Sequence, residues 1–352
     1  MVRSVIGLVR VGVIGLGRMG MLHLVNCLKM DDVEVVAAAD ASKKALNRAK
    51  SLGVEKVYAD YHDVMSHPSE LDAVVVSLPN FLHFESVKLA LESGLDVFLE
   101  KPMANTVEEC RDIVHLVEKS GRRFMVGHVM RRLDAVERLK AGLDSGRIGG
   151  LEVATIEEII NGPFAHPRVP APVSDWWFDP KKSGGGALLD VGYHMIDLFR
   201  FFAGDCNVVF CSLGHKFNLP VEDGAIVVLR SRSSGAKGIV NVGWFEQTMF
   251  PRFNFRVILH GDAGFLNSEE FIPKNLYRYA AKEGLKNLFR RMVGKDIRPL
   301  SYTYHYEPFW LELKQFFSCV RDGTEPPVSA VDGLRVIELI EAAYAMCGKS
   351  PE

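Results

Sequence analysis

The first part of the chain alternates short apolar runs with stretches of helical periodicity. The apolar runs predict strands over Val9–Ile14, Val33–Ala39, Ala73–Leu78, Asp96–Glu100 and Phe124–Val126. The stretches between them predict helices over 18–29, Ala41–Leu52, Phe84–Ser93 and Val107–Ser120. Continuously apolar strands that alternate with helices are typical of a parallel sheet with both faces covered. The right-handed crossover rule then predicts a doubly wound α/β domain.

The pattern changes after about residue 130. Strands separated by Gly, Asn and Ser turns are predicted over Leu151–Ile160, Val208–Leu213, Ala225–Ser231, Gly238–Phe245 and Phe253–His260. Helices are predicted over Asp134–Ser145, Ala187–Ala203, Glu307–Arg321 and Val331–Met346. Turn-linked strands favour a mostly antiparallel sheet, and the helices would lie on one of its faces. We therefore predict two domains, residues 1–129 and an α+β domain over residues 130–352.

Residues 272–300 do not fit the strand pattern of the second domain. The segment combines cations with apolar side chains, namely Arg290, Arg291, Lys295 and Arg298 beside Leu285, Leu288, Phe289 and Met292. A basic amphipathic helix is typical of contact with an anionic ligand or a membrane surface. A solvated helical insertion is the alternative.

Composition and charge narrow the possible functions. The chain has 352 residues, which suits two domains, and its formal net charge is -2, which argues against a dedicated nucleic-acid binder. The six cysteines show no C-x-x-C spacing and no histidine pair that would complete a metal site, so we expect reduced thiols and a cytoplasmic protein. No apolar run reaches the roughly 18 residues of a membrane span.

A glycine-rich turn directly follows the first predicted strand. It consists of Gly15, Leu16, Gly17, Arg18, Met19 and Gly20, in the pattern G-x-G-x-x-G at the start of a helix. The first glycine permits a tight turn, the second lets a pyrophosphate approach the backbone, and the third allows close packing of helix on strand. The free N–H groups of the helix N-terminus attract phosphates. The pattern predicts dinucleotide binding in a domain of the Rossmann type.

Asp40 lies at the end of the second predicted strand, twenty residues after Gly20. An acidic residue at this place accepts hydrogen bonds from the ribose hydroxyls. Its charge should repel a 2′-phosphate, which favours NAD. Ser42, Lys43 and Lys44 follow closely and could accommodate that phosphate, so NADP stays possible. The alternative for the two lysines is an exposed first helical turn.

The next two strands also end in residues suited to a ligand site. Ser77, Leu78, Pro79 and Asn80 follow one strand, with His83 three residues on, and Glu100, Lys101 and Pro102 follow the other. Ligands bind at the carboxyl ends of such strands, so we expect the first group near the nicotinamide or its ribose. Lys101 could donate a hydrogen bond to the reacting oxygen, with its ammonium held by Glu100. A plain turn and an exposed ion pair are the alternatives.

A second group of candidate residues follows the glycine run Gly184–Gly186. Three glycines before a helix could bring backbone amides close to a ligand. Asp190 and His194 are spaced i, i+4 and share one helix face, and Asp197 lies three residues further on. A histidine beside a carboxylate can accept a proton near neutral pH. The alternative is a pair that only satisfies itself on a helix surface.

Arg131 and the pair Trp176 and Trp177 are candidate substrate contacts. Arg131 follows a predicted strand near the predicted domain boundary, and an indole could stack on a sugar ring. Core packing or packing between domains is the alternative for all three residues.

Together these motifs resemble the Gfo/Idh/MocA family of sugar and cyclitol dehydrogenases, over nearly the whole chain. The resemblance implies Lys101, Asp190 and His194 as the catalytic set, with His194 as the base. It implies a sugar or polyol substrate bound by these three residues, and a Rossmann domain followed by an open antiparallel sheet whose exposed face forms a homodimer or homotetramer. The predicted cofactor contacts are Gly15, Gly17, Arg18, Met19, Gly20, Asp40, Ser77, Leu78, Pro79, Asn80, His83, Glu100 and Lys101. The segment 272–300 departs from the family's usual length, which puts the substrate in doubt.

Two other functions remain open at this point. The family includes NAD-dependent glycosidases that oxidise, eliminate and reduce again without net use of the cofactor. A non-catalytic sensor that binds NAD and a partner is the other alternative, and the intact Lys101, Asp190 and His194 argue against it.

Overall fold

The computed structural model describes residues 7–166, 169–245, 254–294 and 303–348. The chain divides into two compact units, Met1–Gly127 with Phe309–Arg335, and His128–Pro308 with Val336–Glu352. The predicted boundary after residue 129 is two residues from the start of the second unit. The segment Phe309–Arg335, which the sequence assigns to the second domain, belongs to the first unit.

The return of this segment to the first unit has a visible physical cause. The ring of Phe316 packs against that of Phe98, with 5.8 Å between centroids. A Cβ on Gly333 would lie 2.8 Å from the sulfur of Met103, so the backbone there approaches the core closely. Periodicity shows that such side chains are buried but not which core buries them.

The first unit contains a six-stranded sheet in which every paired strand is parallel. Its strands are β1 Val9–Ile14, β2 Val33–Ala39, β3 Lys56–Tyr58, β4 Ala73–Val76, β5 Asp96–Leu99 and β6 Phe124–Val126. Its helices are α1 Arg18–Cys27, α2 Lys43–Ser51, α3 Tyr61–Met65, α4 His83–Glu92 and α5 Val107–Ser120. The strand order β3-β2-β1-β4-β5-β6 is that of a doubly wound Rossmann sheet, as predicted. Neither β3 nor α3 is predicted, because each is too short to show a period.

Local chemistry explains the elements of this unit. All four residues of β4 are buried, as expected of a central strand covered on both faces. The Thr106 hydroxyl accepts a hydrogen bond from the Glu109 N–H at 3.1 Å and caps α5. Gly121 ends the helix in the left-handed conformation, with φ of 62°.

The second unit contains a six-stranded mixed sheet and a separate hairpin. The strands are β7 Leu151–Ile159, β8 Phe164–His166, β9 Val169–Pro172, β10 Cys206–Gly214, β11 Gly224–Ser231, β12 Lys237–Gly243, β13 Asn254–Gly261 and β14 Gly264–Asn267. The large sheet has the order β10-β11-β12-β7-β13-β14. Its β12–β7 pair is parallel and its other pairs are antiparallel, so the predicted mostly antiparallel sheet is confirmed. The hairpin β8–β9 is not predicted.

Four helices of this unit are α6 Asp134–Asp144, α7 Pro180–Ser183, α8 Tyr193–Ala203 and α9 Leu276–Met292. Helices α10 Thr303–Asp322 and α11 Ala330–Met346 contribute residues to both units. Helix α8 packs closely on the sheet, since a Cβ on Gly238 would lie 2.6 Å from the ring of Phe199. In the parts that the structure describes, no helix is long and apolar enough to cross a membrane.

Two predicted helices differ in detail from the structure. The one predicted over Ala187–Ala203 begins as a π-helical turn, Leu188–Gly192, which continues into α8. The segment 272–300 contains α9, while Lys295 and Arg298 lie outside the described residues, as does Phe253.

Candidate active site

The glycine turn after β1 has the shape that a dinucleotide requires. Gly15 has φ of +82°, and a Cβ there would lie 2.4 Å from the Ser77 carbonyl oxygen. A Cβ on Gly20 would lie 1.7 Å from the carbonyl oxygen of Gly15. A Cβ on Gly17 would meet no heavy atom within 4 Å, and no side chain caps the N-terminus of α1. The turn therefore leaves open space beside free backbone donors, which fits a pyrophosphate.

The carboxylate of Asp40 is held beside this turn. One oxygen accepts a hydrogen bond from the Leu16 N–H at 2.6 Å and the other from the Ser42 N–H at 2.7 Å. Ser42 caps α2 through its hydroxyl, so Lys43 and Lys44 occupy an exposed first helical turn. The arrangement fits a carboxylate that accepts hydrogen bonds from ribose hydroxyls.

Ser77 follows β4 and has a buried hydroxyl oxygen that accepts or donates no hydrogen bond within the described residues. A Cβ placed on Gly20 would lie 3.2 Å from the Cβ of Ser77, so Ser77 lies beside the glycine turn. Buried polar atoms are normally hydrogen-bonded, and a bound cofactor would supply the partner. This orphaned oxygen supports the prediction of a ligand at the end of β4.

His83 connects the two loops that follow β4 and β5. The side chain is buried, with Nδ1 2.8 Å from the carbonyl oxygen of Pro102 and Nε2 2.8 Å from that of Leu78. Burial lowers the pKa of His83, although both carbonyl contacts act in the opposite direction. These contacts favour a role in holding the loops over the predicted role in binding cofactor directly.

Glu100 binds a histidine that the sequence does not single out. Its Oε1 lies 2.5 Å from His23 Nε2, and its Oε2 accepts a hydrogen bond from the Lys101 N–H at 3.2 Å. The His23 ring is fully buried, and the rings of Phe98 and Phe309 meet it edge to face. Burial would raise the pKa of Glu100, but the His23 contact and the Lys101 charge keep that pKa below its ordinary value.

The carboxylate that we expected to hold the Lys101 ammonium is thus bonded to His23 and to the backbone of Lys101. The following Lys101–Pro102 peptide bond is cis. The sequence signal for His23 is weak, because the buried face of α1 includes a second polar residue, Asn26.

The glycine run before α8 packs against protein rather than forming a cradle for a ligand. A Cβ on Gly185 would lie 2.1 Å from the Tyr344 hydroxyl, and one on Gly186 would lie 1.9 Å from the Glu222 carbonyl oxygen. The buried Glu222 carboxylate accepts hydrogen bonds from the Gly186 N–H at 2.9 Å, the Leu188 N–H at 3.1 Å and the Tyr344 hydroxyl at 2.7 Å. The expectation that these glycines approach a ligand is therefore wrong for Gly185 and Gly186.

Asp190 and His194 stand out by their exposure. Every other residue from Gly186 to Phe199 is buried, whereas these two are only half-buried. The buried indole of Trp244 donates a hydrogen bond from Nε1 to Asp190 Oδ2 at 3.2 Å. The turn and helix thus present one carboxylate and one imidazole to solvent, with the carboxylate held from behind. Nothing in the sequence indicated Trp244.

Arg131 and Asp197 belong to a buried polar network. The Arg131 guanidinium donates two hydrogen bonds to the Asp197 carboxylate, at 2.8 Å and 2.6 Å. His128 Nδ1 lies 2.7 Å from Asp197, and His128 Nε2 lies 2.9 Å from the Tyr193 hydroxyl. These contacts favour a structural role for Arg131 over the predicted contact with substrate.

Trp176 and Trp177 lie in a short 3₁₀ turn, Asp175–Phe178. Their rings stack on each other, with 4.5 Å between centroids and 22° between planes. One ring face of Trp176 is therefore covered by its neighbour, and stacking of this ring on a sugar stays a prediction. Among the described residues there is no cluster of three side chains that could hold a metal ion.

Two family models match the chain on either side of the division into units. Residues 9–128 match the model described as oxidoreductase family, NAD-binding Rossmann fold, and residues 136–267 match the Gfo/Idh/MocA C-terminal domain. The chain belongs to the Gfo/Idh/MocA family. The first unit is accordingly an NAD-binding domain, and the chain is a nicotinamide-dependent oxidoreductase.

Two inositol dehydrogenases align with almost the whole chain. Myo-inositol 2-dehydrogenase of Thermotoga maritima is 28% identical over 343 residues, which are 95% of this chain and 95% of the relative. Scyllo-inositol 2-dehydrogenase (NAD(+)) of Bacillus subtilis is 28% identical over 344 residues, which are 95% and 93% of the two chains.

Solved structures of the family share the fold of this member. Scyllo-inositol dehydrogenase of Lactobacillus casei, solved with NAD(H) and scyllo-inositol, has a TM-score of 0.76 at 22% identity and 97% coverage of both chains. GenD2 from gentamicin A biosynthesis, solved with NAD, has a TM-score of 0.81 at 19% identity. The match includes 98% of this chain and 96% of GenD2.

Proposed function

We propose that this protein is an NAD-dependent dehydrogenase or reductase that acts on a CH–OH group of a sugar, a sugar derivative or a cyclitol. The main support for this proposal is that Asp190 and His194 are half-exposed on an otherwise buried stretch of chain. A titratable imidazole beside a held carboxylate suits proton transfer with a substrate hydroxyl. The inositol dehydrogenases among the relatives support this substrate class.

The protein residues divide the proton chemistry among them. The nicotinamide, when bound, accepts or returns the hydride. His194 removes the proton of the substrate hydroxyl, and Asp190, oriented by Trp244, binds that hydroxyl. Lys101 donates a hydrogen bond to the same oxygen and stabilises its developing negative charge. His23 and Glu100 hold the backbone from which Lys101 extends.

We expect a preference for NAD over NADP. The Asp40 carboxylate is fixed by two backbone N–H groups, so it cannot easily turn away from a 2′-phosphate. Lys43 and Lys44 are exposed at the start of α2 and could contact the 2′-phosphate of NADP. NADP is therefore the second choice.

We also propose that the protein is cytoplasmic and forms a homodimer or homotetramer. The six cysteines are all free thiols, as expected of a reducing compartment. The outer face of the large sheet carries exposed apolar side chains, including Phe210, Ile226 and Ile239, which would be covered by a second copy.

The test is NAD(P)H absorbance with purified protein against inositols, hexoses, sugar phosphates and nucleotide sugars, run with each cofactor. We expect stoichiometric formation or consumption of NADH with at least one polyol or its ketone, and a slower reaction with NADP. If protein that binds NAD gives no such signal but releases sugar from a glycoside, the redox-neutral glycosidase replaces this proposal. If neither reaction occurs, the proposal is replaced by that of a non-catalytic NAD-binding regulator.

A further inference from the structure

Helix α9 turns its polar side toward its own unit. Glu283 is 3% exposed, and Asn287 is likewise buried. Arg290 Nη1 donates hydrogen bonds to Glu283 at 3.1 Å and to Asn287 at 2.8 Å, and Lys286 also pairs with Glu283. One helical turn before Glu283, the Tyr279 ring meets that of Tyr304 edge to face. A surface helix normally buries its apolar stripe instead.

The opposite side of α9 is apolar and exposed. We call it the outer apolar face, and it comprises Tyr277, Leu285, Leu288, Phe289 and Met292. Leu285 is 73% exposed, Phe289 is 62% exposed and Met292 is 71% exposed. At 100° per residue these positions form one continuous side of the helix, facing away from Glu283 and Asn287. A contiguous patch of this kind on a protein surface marks an interaction site.

Cations border the outer apolar face on both edges. Lys282 and Lys286 follow one edge and Arg291 lies on the other, while Arg278 lies on the same side as the face in the first turn of the helix; all four are exposed. The single acidic residue of the helix is Glu283, which is buried and paired with Lys286 and Arg290. The charge that α9 presents to solvent is therefore entirely positive, although the whole chain has a formal net charge of -2.

This charge pattern identifies the occupant of the face. A second copy of α9 would bring the same cations together, and like charges at close range repel. The 17-residue helix is too short and too charged to cross a bilayer. A helix that lies in the surface plane of an anionic bilayer places apolar side chains at the acyl boundary and lysine and arginine at the phosphates.

We propose that α9 attaches this enzyme peripherally to anionic membranes. The outer apolar face inserts into the lipid surface, while Arg278, Lys282, Lys286 and Arg291 contact phosphate groups. The helix keeps its orientation because the side that carries Glu283 and Asn287 is buried, and because the Tyr279 ring packs edge to face on that of Tyr304 in α10. The proposal does not depend on the substrate or on the reaction.

The test is co-sedimentation of the full chain with vesicles. One set contains phosphatidylcholine alone and the other an equimolar mixture of phosphatidylcholine and phosphatidylglycerol. We expect wild-type protein to sediment with the anionic vesicles and to be released as salt rises, because salt screens the cationic contacts. Little protein should sediment with phosphatidylcholine alone.

Matched variants separate the two contributions. L288Q/F289Q should lower the partition coefficient by at least about tenfold, whereas V331Q/M346Q, which changes exposed apolar residues of α11, should not. R278E/K282E should lower it by about fivefold or more for each cation lost. K88E/K119E makes the same charge change on exposed lysines of α4 and α5 and should have a much smaller effect.

Circular dichroism checks that each variant is folded. Light scattering gives its molar mass and therefore its oligomeric state. Wild-type protein that fails to bind anionic vesicles overturns the proposal, as does binding that survives L288Q/F289Q. A smaller oligomer for L288Q/F289Q, together with no vesicle binding by wild type, would assign the face to a second copy of the chain.

Discussion

The chemistry of single residues here depends on buried partners that hold them. Asp190 faces solvent while the buried Trp244 indole bonds to one of its oxygens. The backbone N–H of Lys101 donates a hydrogen bond to the Glu100 carboxylate. Glu100 is itself hydrogen-bonded to the buried His23. Groups fixed in this way need little reorganisation during a reaction.

Removal of either proposed proton-handling group should slow turnover while the cofactor site survives. We expect Lys101→Ala and His194→Ala each to lower kcat by about 10²-fold or more, since each loses acid–base or electrostatic catalysis. NAD affinity of His194→Ala, measured by titration calorimetry, should stay close to wild type.

Exposed residues of the same type on α5 provide the controls. Lys119→Ala and His115→Ala remove a lysine and a histidine that lie on the surface of that helix, and they should leave kcat unchanged. Full turnover by His194→Ala would show that another group is the base.

At the scale of elements, α8 carries a half-exposed polar residue in its first turn and a buried one in the next. Its first turn carries His194 at the surface, and Asp197 in the next turn is buried among Arg131, His128 and Tyr193. Burial would raise the pKa of Asp197, but the charges and hydrogen bonds of His128 and Arg131 lower it well below its ordinary value. A carboxylate paired in this way fixes the helix against the residues that precede α6.

The lowered pKa of Asp197 predicts how stability depends on pH. As the pH falls, the unfolded chain takes up the proton before the folded one, so the contribution of Asp197 is complete above its ordinary pKa of about 3.9 and is lost below it. We expect Asp197→Asn to lower the free energy of unfolding at neutral pH by about 3–5 kcal/mol, because it leaves the Arg131 guanidinium without its buried carboxylate partner.

Urea unfolding followed between about pH 3 and pH 7 measures this dependence. The difference between wild type and Asp197→Asn should shrink at the acid end of the range. Asp322→Asn, at an exposed ion pair, should leave the free energy of unfolding close to that of wild type. A difference for Asp197→Asn that stays constant with pH would contradict the assigned charge state.

At the scale of the whole molecule, the large sheet of the second unit has one buried face and one half-exposed face, and a row of mostly apolar side chains crosses the half-exposed one. One row of side chains crosses five neighbouring strands, from β10 through β11, β12 and β7 to β13, and every member is half-buried or exposed. Its members are Phe210, Val228, Ile239, Thr155 and Ile258. A row of this kind across a sheet is suited to pack against a second copy related by symmetry.

We expect wild-type protein to have the molar mass of a dimer or tetramer by light scattering. F210D/I239D should shift it toward the monomer, because two carboxylates would have to be buried at the interface. Leu52→Asp, at an exposed apolar residue of the first unit, should leave the mass unchanged. A wild-type monomer at micromolar concentration would exclude assembly through this face.

The sequence by itself determined the features that depend on near neighbours along the chain. Strand β1 and helix α5 begin and end where the pattern predicts, because apolar periodicity and capping are local. The turn from Gly15 to Gly20 is predictable for the same reason, since only glycine fits at its first and last positions.

Only the tertiary structure decided which distant groups meet and which side of an element faces outward. His23 and Glu100 are 77 residues apart, and no local pattern pairs them. The sequence shows that α9 is basic and amphipathic, but only the burial of Glu283 shows that its apolar side is the exposed one. The physical reason is that burial depends on the surface an element packs against, and distant parts of the chain supply that surface.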